Sequence, residues 1–372
     1  MKITVPRMGN TVLAAKALFD DLDIDYILPG GHSPAVLQAG SYHSPDEMCL
    51  PFKIMMGNYL ECIQKGADTI LIPGSCGPCR FGEYCELQMS ILKGLGHNLE
   101  FIVVDSPGAI GKDEFLRRLK RVTATSPRSG NEKLKALYRT YRFLTHLEKL
   151  EAEARLLAGY VEEPRELPAL LARCRNALMN QKGTGNMEET LKEYEKKLRS
   201  LPADKSRQPL KIAVIGEIYT IIEPFSNLYL EDKLMAAGVS SKRRLTPVWW
   251  VNDMVLKPLK INSPAIRLAC RPYLPHTVGG HGQECIGEAV LASKEGYDGA
   301  IQVFPLGCMP EIVSKAILPN IQKDRDFPVM TLVVDEMTGE AGYITRLEAY
   351  LDMLEARRKI RSKKGEPHLV RT

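Results

Sequence analysis

A cysteine-bearing segment near the N-terminus returns more than 200 residues later, and this repetition constrains the fold more than any other feature of the chain. The first copy runs from Asp46-Glu47-Met48-Cys49-Leu50-Pro51 to Cys76-Gly77-Pro78-Cys79, the second from Gln283-Glu284-Cys285 to Gly307-Cys308-Met309-Pro310. Each copy has an acid close to its first cysteine (Glu47, Glu284), followed by a helix-like segment at 52–65 and 286–295. A Gly-x-Asp turn comes next (Gly66 to Asp68, Gly296 to Asp298), then an apolar strand ending in proline at 69–73 and 300–305. In both, the second cysteine stands three residues past that proline, Cys76 after Pro73 and Cys308 after Pro305. The order describes a duplicated unit in which a strand delivers a thiol to its carboxyl end, where open α/β sheets bind ligands. Two such halves are expected to face one another across a cleft.

The rest of the chain supports an α/β class with parallel sheets. Residues 2–6 predict a strand, 10–22 a helix with Val12, Leu13, Ala17, Leu18 and Leu22 at helical spacing, 24–29 a strand and 99–105 a further buried strand. Gly30 to Pro34 reads as a loop. The pattern restarts with a strand at 209–217 and a helix at 225–237, runs irregularly past Trp249 and Trp250, and closes with a strand at 328–335 and a helix at 340–361. Residues 113–200 read as helices broken near Pro164, Pro168 and Gly183-Thr184-Gly185. The expected divisions are an N-terminal α/β lobe at 1–112, a helical insertion or cap at 113–205, a C-terminal α/β lobe at 206–338, and a C-terminal helix with a basic tail at 339–372. A length of 372 residues independently favours two to three domains.

Composition narrows the function classes. A hydrophobic share of 44% and a charged share of 26% exclude a disordered chain. No window approaches the roughly 18 consecutive apolar residues of a membrane span, and residues 1–6 start a strand rather than a signal peptide. A cytoplasmic protein is expected, and in a reducing compartment nine cysteines point to metal or redox chemistry rather than disulfides. The formal charge of +5 collects at the C-terminal end, in Arg357-Arg358-Lys359 and Arg361-Ser362-Lys363-Lys364. No aromatic residues interleave there, so a solvated helix end is expected and not a nucleic-acid site.

The nine cysteines divide by context. Cys62, Cys174 and Cys270 read as core thiols. Cys49, Cys76, Cys79, Cys285 and Cys308 flank Gly and Pro at element ends, where loops carry function on a rigid scaffold, and are the candidate metal or cluster ligands. Cys85 completes a Cys-x2-Cys-x5-Cys run with Cys76 and Cys79, yet 81–87 already looks helical, so a ligand and a packed thiol both fit. One close pair with other thiols arriving singly from distant strands suits an iron–sulfur cluster better than a closed zinc tetrahedron. Among His32, His43 and His281, the last is best placed, as a ligand, a proton carrier or a hydrogen-bonding loop residue. Glu47 and Glu284 serve either helix capping or acid–base chemistry.

Taken together, Glu47-Met48-Cys49-Leu50-Pro51, Cys76-Gly77-Pro78-Cys79-Arg80-Phe81-Gly82, Gly280-His281-Gly282-Gln283-Glu284-Cys285 and Gly307-Cys308-Met309-Pro310 resemble the CoA-enzyme-activase-associated, double-cubane-like branch of the 2-hydroxyacyl-CoA dehydratase superfamily. The resemblance implies two Rossmann- or flavodoxin-like lobes and an oxygen-sensitive iron–sulfur cluster, either [4Fe-4S] or an [8Fe-9S] double cubane. It also implies a separate ATP-dependent activator of the actin/sugar-kinase fold, which injects low-potential electrons, and an acyl-CoA or small-molecule substrate. A homodimer or heteromer is the expected assembly. The cysteine spacing departs from that of the dehydratase subunits, and there is no Gly-x-x-x-x-Gly-Lys-Ser/Thr phosphate loop. The chain is therefore expected to be the electron acceptor, an ATP-driven reductase or dehydratase-like component. Cys49, Cys76, Cys79, Cys285 and Cys308 would hold iron, with Cys85 as a sixth candidate, while Glu47, Glu284 and His281 would move protons. The alternative from another class is a non-enzymatic zinc-binding or cluster-delivering protein.

Overall fold

A computed structural model describes residues 1–74, 80–105, 107–256 and 263–363, so Cys76, Cys79 and the end of the basic tail lie outside the described residues. The chain forms two compact units. Unit 1 comprises Met1–Leu150, Leu171–Arg199 and Pro247–Asn262, and unit 2 comprises Glu151–Leu170, Ser200–Thr246 and Ser263–Thr372.

In its first part the chain runs β1 (Ile3–Thr4), α1 (Thr11–Leu22), α2 (Pro34–Tyr42), α3 (Leu50–Gln64), β2 (Thr69–Pro73), α4 (Tyr84–Gly94), β3 (Glu100–Val104), the single turn α5 (Pro107–Ile110), α6 (Lys112–Val122), α7 (Gly130–Leu157), α8 (Glu166–Met179) and α9 (Gly183–Arg199). It continues with β4 (Lys211–Gly216), α10 (Ile218–Ile222), α11 (Leu230–Ala236), β5 (Ser240–Lys242), α12 (Pro247–Leu256), α13 (Pro264–Cys270), α14 (Gly282–Lys294), β6 (Gly299–Pro305), α15 (Met309–Arg325), β7 (Val329–Val334) and α16 (Glu340–Lys363). Every strand pair is parallel, in the order β1-β2-β3 in unit 1 and β5-β4-β6-β7 in unit 2. The architecture is α/β, as the strand–helix alternation predicts.

The duplication extends to individual hydrogen bonds. In unit 1, Asp68 ends the Gly-x-Asp turn and accepts the Lys2 N–H at 2.7 Å, tying the start of β2 to that of β1. In unit 2, Asp298 accepts the Lys211 N–H at 2.8 Å and does the same for β6 and β4. The glycines that open these turns, Gly66 and Gly296, have φ of 95° and 75°, the left-handed geometry that ends a helix cheaply only without a Cβ.

Helix pairing repeats as well. Ser33-Pro34-Ala35-Val36 and Ser263-Pro264-Ala265-Ile266 each start a helix with proline in its first turn. Twenty-one residues after Val36 and Ile266 stand Gly57 and Gly287, where the next helix packs against the first. A Cβ on Gly57 would lie 2.0 Å from the Val36 carbonyl oxygen, and one on Gly287 would lie 2.4 Å from that of Ile266. In each unit the backbones of the two helices therefore meet at the same point.

Some elements differ from the sequence expectation for identifiable reasons. The strand expected over 24–29 reduces to a single parallel bridge between Ile3 and Tyr26. It is flanked by exposed Asp23 and Asp25, and the Tyr26 hydroxyl donates to Asp20. Ser33-Pro34, read as a loop, opens α2: the Ser33 hydroxyl accepts the Val36 N–H. The irregular stretch around Trp249 and Trp250 forms α12. The helix expected at 225–237 is confined to α11, because Leu228 and Tyr229 adopt positive φ just before it.

The long polar stretch after α5 is helical from α6 to α9. α9 is anchored on α1 by carboxylates that cap its N-terminus: Asp20 accepts the Gly183 N–H and Asp21 the Thr184 N–H, both at 2.9 Å. Cys62, Cys174 and Cys270 are buried. In unit 2 the apolar core gathers α14, with Cys285, Ile286, Ala289 and Val290, against Ile215, Ala300, Leu318 and Ile321. Among the described residues no helix is long and apolar enough to cross a membrane.

The glycine crossings are directly testable. Gly57→Ala and Gly287→Ala are each expected to lower stability by about 1–3 kcal/mol through overpacking, measured by denaturant unfolding. Gly94→Ala, which adds a methyl to open space, should be neutral or stabilising.

Candidate functional site

The sheet of unit 2 reverses its direction of growth beside its first strand, whereas that of unit 1 runs β1-β2-β3 in one direction, with the isolated Ile3–Tyr26 bridge flanking β1. In unit 2 the chain leaves β4 for β5 on one side and then places β6 on the other. A crevice outside the carboxyl ends of the strands is expected at such a switch point. In unit 1 the corresponding place lies beyond β1 and β2.

In unit 1 this edge carries Cys49. It is the N-cap of α3 with an extended backbone (φ −69°, ψ 156°), and Leu50-Pro51 start the helix behind it. A helix N-terminus favours the thiolate, because unsatisfied N–H groups and the helix dipole stabilise negative charge there. The Cys49 sulfur hydrogen-bonds the Tyr84 hydroxyl at the start of α4. The Tyr84 ring is fixed by an edge contact with Phe52, centroids 5.1 Å apart, and a tilted contact with Phe81 at 5.0 Å. Lys53, almost fully buried, donates to the Asp46 carbonyl and holds the turn before Cys49. Glu47 lies exposed in that turn, ahead of the helix. Nearby, Arg7 donates to the Gly30 carbonyl at 3.1 Å, and Asn58 lies 3.4 Å from His32. His43 ends α2. Cys85 is the second residue of α4, and burial raises its thiol pKa, with the Glu86 and Asp105 carboxylates adding to the effect.

In unit 2, Cys308 caps α15 as Cys49 caps α3, with an extended backbone and Met309-Pro310 starting the helix. Cys285 is placed differently. Counted from the equivalent Gly66 and Gly296, Cys49 stands seventeen residues ahead and Cys285 only eleven. The sequence pairs the two as first cysteines of each copy, but the fold puts Cys285 inside the first turn of α14, fully buried. His281 is the N-cap of that helix and Glu284 lies in its first turn.

Around Cys285 runs a polar chain inside an otherwise apolar unit. Thr331 on β7 donates to Gln302 at 3.0 Å, and Gln302 on β6 donates to the Glu311 carboxyl at 2.9 Å. Glu311, in the first turn of α15, hydrogen-bonds the Cys285 thiol. Burial pushes the Glu311 carboxyl up to about 8, and does the same to Glu288 one turn along α14 from Cys285. Burial thus favours the protonated form of both acids. Burial, reinforced by Glu311 and Glu288, holds the Cys285 thiol well above its ordinary range. Glu217, at the carboxyl end of β4, is also raised by burial and caps α10 by accepting the Tyr219 and Thr220 N–H groups.

The cysteines therefore divide by their fitness as anionic ligands. Metal-bound sulfur must be deprotonated. Cys49 and Cys308 cap helix N-termini, whereas burial raises the thiol pKa of Cys285 and Cys85. Among the described residues, no group of three or more His, Cys, Asp or Glu side chains is arranged to hold a metal ion. Cys76 and Cys79, expected beside Cys49, lie outside the described residues.

Sequence reasoning passed over Tyr84, Glu288, Gln302, Glu311 and Glu217. Gln302 did leave a signal, a lone polar residue inside the fully buried strand Gly299–Pro305. Glu311 follows Cys308 by three residues, the spacing at which a first-turn acid reaches back over a helix start.

The buried acids predict an inverted pH dependence. Glu288 keeps its proton to about pH 8 when folded and only to about pH 4.5, its ordinary value, when unfolded. The folded state then binds more protons across that window, and stability falls as pH rises through it. In Glu288→Gln the decline between about pH 5 and about pH 8 should be shallower, read from denaturant midpoints at each pH. An unchanged slope would assign the titration to another group.

Residues 7–108 match the family model described as CoA enzyme activase uncharacterised domain (DUF2229). No curated protein matches the chain. The matched segment runs from the carboxyl end of β1 past β3 and contains Cys49, Cys76, Cys79 and Cys85. It agrees with the activase-associated branch of the dehydratase superfamily that the four cysteine motifs resemble.

Proposed function

We propose that this chain is the electron-accepting iron–sulfur component of an ATP-driven, dehydratase-like system, supplied by a separate activator of the actin/sugar-kinase fold. The observation that carries the reading is the repeated placement of a cysteine, Cys49 and Cys308, on a helix N-terminus at the carboxyl edge of a parallel sheet. The description of the matched domain, a CoA enzyme activase domain, supports an activator as partner.

In this reading Cys49 and Cys308 are ligands, Cys76 and Cys79 join them, and Cys285 and Cys85 contribute only if the charge of bound iron overcomes the burial that keeps them protonated. Three or four thiolates suit a single [4Fe-4S] cubane, and six suit an [8Fe-9S] double cubane. The bound cluster supplies one-electron chemistry. The chain's own groups do the rest. Tyr84 positions the Cys49 sulfur, Glu311 holds a proton beside Cys285, and His281 and Glu284 on the first turn of α14 carry protons to a small-molecule or acyl-CoA substrate. Glu47 would serve the same purpose in unit 1.

Anaerobic purification tests this directly. The protein should show broad visible absorbance and contain iron with acid-labile sulfide, whose ratio counts the cluster. Colourless protein with stoichiometric zinc would overturn the reading. Cys49→Ser combined with Cys308→Ser should remove the chromophore, and retention of full iron content would reject both as ligands. Tyr84→Phe removes a hydrogen bond to a ligand sulfur and should shift the cluster potential to more negative values in a redox titration; an unmoved potential would separate Tyr84 from the cluster.

A further inference from the structure

The first half of α7 buries one face and leaves the other apolar. Ala136, Thr140, Phe143, Leu144 and Leu147 point into unit 1, at the spacing of a core-facing stripe. On the face that adjoins it, Leu134, Leu137, Tyr138 and Tyr141 follow one another at i, i+3, i+4 and i+7. All four are exposed, Leu134 by 68% and Tyr138 by 62%. Scattered exposed apolar residues need no explanation, but a contiguous stripe marks an interaction surface.

Charge specifies what fits it. Lys135, Arg139 and Arg142 run beside the stripe at i, i+4 and i+7 and are exposed. Among the described residues none of these three makes an ion pair. From Lys112 to Arg142 the chain holds ten basic and three acidic residues, a greater excess than the net +5 of the whole protein. A second copy of the chain docking isologously would lay this basic row against itself. Tyr and Arg are the side chains that most often anchor protein interfaces, and the Tyr141 hydroxyl is steadied by a 2.8 Å hydrogen bond to Asn252 of α12.

We propose that the Leu134, Leu137, Tyr138 and Tyr141 stripe of α7, with its Lys135, Arg139 and Arg142 border, is the docking surface for a partner protein presenting apolar surface edged by carboxylates. Resting on the functional reading above, that partner is the ATP-dependent activator. Apolar contact supplies most of the affinity, while the basic border steers approach and sets orientation.

The test is a binding titration of the purified full-length chain with the purified activator encoded by the same genome, in its ATP and ADP states. Leu134→Ser with Tyr138→Ser should weaken binding at least about tenfold. Arg139→Glu with Arg142→Glu should slow association and remove most of its salt sensitivity. Met337→Ser, which alters a still more exposed apolar residue of unit 2, should bind as wild type does. Cluster content, measured on each variant, should be unchanged. If the activator binds wild type and all variants alike, the docking surface is wrong and the functional reading stands. If it binds wild type in neither nucleotide state, both fall. Self-association or binding of a DNA duplex that is lost in the same variants would also overturn the proposal, by assigning the stripe to a different occupant.

Discussion

The helix crossings at Gly57 and Gly287 set the position of nearly everything chemical in this protein. Each lets two helix backbones meet where a methyl group would collide with a carbonyl oxygen. The second helix of each pair is thereby fixed in rotation and height against its sheet. Its N-terminus carries Cys49 in one unit, and His281, Glu284 and Cys285 in the other. The Asp68 and Asp298 bonds hold the following strand in register, and in unit 2 that strand leads to Cys308. Thiol placement is thus governed by glycine and aspartate positions remote from any sulfur.

The same scaffold gives different electrostatic settings to apparently similar residues. Cys308 caps the start of α15, while Cys285, in the first turn of α14, is fully buried against the Glu311 carboxyl, whose pKa burial raises. Low dielectric decides the second case: ionising a buried thiol beside carboxyl groups costs more than a hydrogen bond returns. Gln302 and Thr331 show that this acid is built in: Gln302 donates to Glu311 from one strand and itself accepts from Thr331 on the next.

Much of this was legible in the sequence. The parallel α/β class, the Gly-x-Asp turns and the proline-ended strands follow from local rules about turns and periodicity, and those rules are obeyed here by the same residues twice. What escaped was of two kinds. The Ser-Pro-Ala-Val and Ser-Pro-Ala-Ile helix starts lie where proline, joined by glycine in the first, signals a loop, and the cysteines suggest a register for the repeat that Gly57 and Gly287 contradict. The Glu311, Gln302 and Thr331 chain joins residues of three elements, and a polar side chain in an apolar run reveals neither its partner nor its protonation. The placement of Cys49 and Cys308 as helix caps could be read from the proline two residues on; the burial of Cys285 could not.

The six-residue offset between Cys49 and Cys285 has an evolutionary reading. An ancestral half-length protein pairing with itself would have had two interchangeable edges, with every change of sulfur environment made twice. Two halves within one chain are free of that constraint, and here they do not share their first sulfur position. A symmetric pair built from either half alone would have to give up one of the two environments, so the single chain holds a combination that two identical halves could not.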